Sequence, residues 1–142
     1  MKPSKLLNGA IAAVIVGSLA GTYAEAAPRP ACSVLGLDQV RSIVGAPVVK
    51  IDKGSFPPTV QKNQTFSNCT YMEMANGHRF ARLTLAWSSP ADLSKTNQFY
   101  LKRHMLASAV HGDVLVLALV GEGDRNTWAA SKKLLAAALA KI

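Results

Sequence analysis

The chain has 142 residues, 49% of them hydrophobic and 17% charged, with a formal net charge of +8. That apolar content excludes a disordered chain, the length suits one domain with its own core, and only two cysteines exclude a disulfide-dense scaffold. No internal repeat or low-complexity segment interrupts it.

The first element is an export signal. Lys2 and Lys5 precede an apolar stretch from Leu6 to about Ala20, and Ala24-Glu25-Ala26 places small residues around a cut after Ala26. Basic, apolar and small-residue regions in that order read as a signal peptide over 1–26. A membrane anchor needs about 20 mostly apolar residues, and this stretch is shorter and broken by Asn8, Gly9, Gly17 and Ser18. Arg29-Pro30-Ala31 before Cys32 does not suit a lipid-modified cysteine, and no twin arginine is present. The expected product is one secreted or periplasmic α+β domain over 27–142, with no transmembrane segment after cleavage. Losing Lys2, Lys5 and Glu25 would lower the formal charge from +8 to about +7. Outside the cytoplasm, such a surface meets lipid head groups, cell-wall polymers and acidic proteins more readily than nucleic acid. In an oxidising compartment Cys32 and Cys69 are expected to form one disulfide.

A Pro-rich lead, Ala27–Pro30, opens the domain. Leu37, Val40, Ile43 and Val44 then recur at helical spacing, and Gly45 followed by Pro47 predicts the helix stop. Pro47–Ile51 is β-branched and reads as a short strand, and Asp52–Gln64, with Gly54, Pro57 and Pro58, as a loop. Phe66–Met74 and His78–Ser88 flank Ala75-Asn76-Gly77, a hairpin signal. A two-residue turn would put Cys69 and Tyr71 on the opposite face of the sheet from Ala81, Leu83, Leu85 and Trp87. A three-residue loop closed by a left-handed Gly77 puts all six on one face. Register follows the buried face, so the second is expected, with Thr70, Met72, Met74, Phe80, Arg82 and Thr84 on the outer face and Met74 opposite His78. Ser89-Pro90-Ala91-Asp92 starts a helix reaching about Leu106. His111-Gly112-Asp113 is a turn. Val114–Val120 is uninterruptedly apolar and predicts a central strand covered on both faces. Gly121–Asp124 is a loop, and Thr127–Ala140 a closing helix. The expected architecture is α+β, a mostly antiparallel sheet of about four strands with helices packed on one face and one disulfide.

The frame Cys32-Ser33-Val34-Leu35, a short helix ending at Gly45, then Cys69-Thr70-Tyr71 resembles small disulfide-bonded domains of the bacterial envelope, secreted or lipid-anchored, mostly of unassigned function. The resemblance implies a fold more than an activity. This chain departs from the lipid-anchored members in having no cysteine at the cleavage point.

Three groups of residues could carry chemistry. Met72, Met74 and His78 combine thioethers with an imidazole, a soft set suited to copper(I); on a strand such a set more commonly packs a face. Neither a Gly-x-Ser-x-Gly elbow nor a His-Glu-x-x-His helix is present; His111 and Asp113 flank a glycine, and His104 sits between basic residues and a helix end. Arg79, Arg82, Lys102 and Arg103 would form an anion-binding face if they converge; Lys95, Lys132, Lys133 and Lys141 add further positive charge. The expectation is an exported, small, non-enzymatic binding protein of the bacterial envelope, without a cofactor, whose partner is an envelope protein or an anionic surface polymer or lipid. The alternatives are a periplasmic copper carrier and a small secreted hydrolase.

Overall fold

A computed structural model describes residues 28–51, 59–61, 64–75, 77–103, 106–123 and 125–142. The expected signal peptide over 1–26, most of the 52–64 loop, and Asn76, His104 and Met105 lie outside the described residues. In chain order come a 3-10 turn (Ala31–Ser33), α1 (Leu37–Val44), β1 (Val48–Lys50), β2 (Thr59–Gln61), β3 (Gln64–Glu73), β4 (Arg79–Trp87), α2 (Pro90–Arg103), β5 (Ala107–His111), β6 (Val114–Glu122), β7 (Arg125–Asn126) and α3 (Trp128–Leu139).

The strands form one antiparallel sheet. Its main path of five runs β1-β3-β4-β6-β5, with short β2 on β3 and β7 on β6. The α+β class and the disulfide match expectation; the fifth strand is β5. It pairs with β6 from His111 opposite Val114 to Ala107 opposite Ala118, so the turn expected at His111-Gly112-Asp113 closes a second hairpin, with His111 the last residue of β5. Gly112 takes φ 60° there.

In the first hairpin Cys69 faces Leu83 and Tyr71 faces Ala81, which is the register that buries the apolar set together. Gly77 takes φ 65° and donates its N–H to the Glu73 carbonyl at 2.9 Å. A left-handed residue suits glycine because it has no Cβ. That bond closes the turn, and the ladder ends at Met72 opposite Phe80. The expected cross-strand pair of Met74 with His78 is not part of it.

One face of the sheet is closed. Cys69, Tyr71, Ala81, Leu83, Leu85, Val116, Ala118 and Val120 point into a single core with Val40 of α1 and Leu134 and Ala138 of α3. Burying each of the larger side chains contributes roughly 1.5–3 kcal/mol. The Cys32–Cys69 bond (S–S 2.07 Å) ties the 3-10 turn to the middle of β3. Beside it the Ala31 N–H donates to Ser67 Oγ at 2.9 Å and the Lys50 ammonium to the Cys32 carbonyl at 3.0 Å. Helix α1 ends as expected, with Gly45 at φ 72° donating to the Arg41 carbonyl at 2.8 Å.

The expectation that all helices share this face is corrected for α2. Asn97 accepts a hydrogen bond from Ser108 Oγ at 2.7 Å, and Ser108 stands in the cross-strand row of Leu117, Thr84 and Asn68. Alternation along the strands puts that row on the face opposite Cys69 and Leu83. Leu93 of α2 and Leu115 of β6, each 1% exposed, are buried outside the main core cluster. The start of α2 is the expected one: Ser89 Oγ accepts from the Asp92 N–H at 3.3 Å and donates to its carboxylate at 2.8 Å. No helix among the described residues is long and apolar enough to cross a membrane.

Candidate functional site

The two faces are unequally covered. The 3-10 turn, α1 and α3 close the first, whereas α2 packs mainly on β5, with fewer contacts to β6. Between the C-terminal half of α2 and the uncovered part of β3, β4 and β6 lies a groove of about 270 Å³, lined by Asn68, Arg82, Thr84, Tyr100, Leu106 and Leu117–Leu119.

Strand alternation explains the lining. Asn68, Thr84 and Leu117 form one cross-strand row, and Thr70, Arg82 and Leu119 the next. Thr84 donates its hydroxyl to Asn68 Oδ1 at 2.5 Å, which leaves the Asn68 amide nitrogen as a donor. Arg82 donates from Nε to Thr70 Oγ1 at 3.3 Å. Its side chain is exposed and has no ion-pair partner among the described residues. Tyr100 comes from α2, one helical turn beyond Asn97 and roughly in line with Leu93, so it reaches the sheet from the inward side of the helix. Phe99 packs edge-on to Tyr100 with centroids 5.3 Å apart, and the Arg103 guanidinium lies 3.8 Å from the centre of the Phe99 ring. Among the described residues no carboxylate lines the groove.

The four residues of the expected anion site divide between the faces. Arg82 lines the groove; Lys102 and Arg103 end α2 on the same face of the sheet, and neither is among the described residues that line it. Arg79 is three residues from Arg82 on β4 and therefore lies on the closed side. There its Nη1 donates to the Gly45 carbonyl at 2.8 Å, and its Nε lies 3.6 Å from the Glu122 carboxylate. A smaller cavity of about 190 Å³ adjoins that pair, lined also by Val44, Val120, Thr127 and Ala130. Arg79 is thus engaged in holding the end of α1 against the sheet.

Met72, Met74 and His78 gather at the end of the first hairpin. Met72 is half-buried, and its sulfur is 3.5 Å from the point a Cβ on Gly77 would occupy. Met74 is 73% exposed and His78 is exposed. No cluster of three His, Cys, Asp or Glu residues able to hold a metal occurs among the described residues. His111 and Asp113 flank the turn between β5 and β6, with His111 exposed.

Reading the sequence set Thr84 on the outer face of the hairpin but placed none of Asn68, Thr84 and Tyr100 in a site. The outer-face pattern of the hairpin held the signal for the first two, since both alternate with buried positions. Tyr100 needed the knowledge that α2 crosses to the second face. No family model, no curated protein and no solved structure matches this chain.

Proposed function

We propose that this protein is an exported, non-enzymatic binding protein of the bacterial envelope that holds an anionic partner on the second face of its sheet. The observation that carries the reading is Arg82: an exposed guanidinium on a sheet face left open by α2, facing no carboxylate among the described residues. Lys102 and Arg103 end the helix that borders the same opening. Hydrogen bonds to charged groups contribute about 1.5–3 kcal/mol where water is partly excluded. The closed face supplies rigidity, through the Cys32–Cys69 bond and the packing of α1 and α3. A basic domain outside the cytoplasm would be steered toward anionic surfaces before any specific contact forms. Its net charge also argues against a second copy as the partner, since two such faces would bring Arg82 against Arg82.

The test is sedimentation of the oxidised mature protein with purified envelope fragments over a salt series. The double variant Arg82→Gln/Arg103→Gln should lose at least about tenfold in affinity. Lys132→Gln/Lys133→Gln, which removes the same charge from exposed positions of α3, should lose much less. Equal losses would mean diffuse charge attraction and would end the reading.

A further inference from the structure

We infer that the groove beside α2 binds a small amphipathic anion: one carboxylate or phosphate group on a short aliphatic chain. The inference rests on the anion-binding reading above and names the ligand class for that site.

The polar half of the groove offers donors. Arg82 spends only its Nε on Thr70, so both Nη groups point to no partner among the described residues. The Asn68 carbonyl oxygen is held by Thr84, which leaves the amide nitrogen as a donor. Tyr100 lines the same space, and its hydroxyl has no hydrogen bond among the described residues. A guanidinium fork, an amide N–H and a phenol make a donor set that matches the oxygens of a carboxylate or phosphate. A neutral ligand would leave the charge of Arg82 unanswered, and a cation would be repelled.

The other half is apolar. Leu106, Leu117 and Leu119 are only partly buried and line the same groove, Leu117 and Leu119 on β6 beside Thr84 and Arg82 of β4. An aliphatic chain laid on them would remove that surface from water at about 25 cal/mol per Å². The space of about 270 Å³ is at the lower end for small-molecule sites, which run from roughly 300 to 1,000 Å³. That size excludes a large ring system and suits a chain of a few carbons. Bare inorganic anions would satisfy the donors and leave the leucines wet, so they should bind more weakly.

Hexanoate, hexyl phosphate and hexanol are the probes, titrated into the isotope-labelled, oxidised mature protein and followed by amide chemical shifts. At least one of the two anions should shift Asn68, Arg82, Thr84 and Leu119 saturably, and which one does identifies the head group. Hexanol, acetate and inorganic phosphate should each bind at least about fivefold more weakly than that anion. Arg82→Gln should weaken it about tenfold or more. Asn68→Asp, which sets a carboxylate beside the bound anion, should weaken it as well and serves as the second variant should Arg82→Gln perturb the fold. No saturable shift in the groove, equal binding of the bare anions, or unchanged binding by a folded variant each overturns the inference. If the hexyl anions fail while Arg82→Gln/Arg103→Gln still weakens envelope binding, only the ligand assignment falls and the broader reading stands.

Discussion

Ser131 supports a prediction that can be worked from the structure. It lies on α3 and is fully buried. Its Oγ accepts the Val120 N–H at 2.8 Å and donates to the Thr127 carbonyl at 3.0 Å. The Val120 carbonyl is taken in turn by the Thr127 N–H at 2.8 Å. Strand β5 pairs with β6 only as far as Ala118, so at Val120 a side chain takes the place of a neighbouring strand. Ser131→Ala leaves the Val120 N–H buried beside a methyl group, with Val120 itself 3% exposed and little room for water. The cost of an unsatisfied buried donor is about 1–3 kcal/mol, a large share of the stability of a small domain. Urea unfolding should therefore show a lower midpoint with an unchanged slope. Ser94→Ala, at an exposed position of α2, should stay within about 0.5 kcal/mol. Native-state hydrogen exchange should show the Val120 amide opening faster in the Ser131 variant. If that amide stays as protected as before and the stability loss is under about 0.5 kcal/mol, the hydroxyl is not the partner that closes β6.

Two further outcomes follow from the same geometry. Cys32→Ala/Cys69→Ala should cost about 4 kcal/mol, from the entropy of closing a 37-residue separation, and thermal unfolding with and without reductant should show the same loss in the parent protein. Copper(I) titration should give the same curve for the parent and for Met72→Ala/Met74→Ala/His78→Ala, because Met72 is packed over the turn and Met74 is not held opposite His78; a stoichiometric site lost in the variant would restore the carrier reading.

Much of the closed face was legible because period-two alternation and burial point the same way there. Once Gly77 set the register, Cys69, Tyr71, Ala81, Leu83, Leu85 and Trp87 fell on one side, and the disulfide followed them into the core. The seven-residue apolar run at Val114–Val120 gave the central strand for the same reason: a strand covered on both faces has no polar positions to spare. The same run conflicts with helices on one face alone. Leu115 and Leu117 point away from the core that contains Val116 and Ala118, so something had to cover them. Helix α2 does so over Leu115, yet its own sequence hides the fact, since only Leu93 is fully buried and its next inward contact is the polar pair Asn97–Ser108. Strand β5 was missed on similar grounds: Ala107-Ser108-Ala109 is too small and mixed to signal a strand, and it exists because β6 offers an edge and Gly112 allows the turn. The candidate site depends on both elements. Its polar residues come from β3, β4 and α2, about 15 to 30 residues apart, and no local pattern joins them. What joins them is that α2 covers the second face incompletely, so the length of that helix and its polar contact with β5 decide where Arg82 stays open to a ligand.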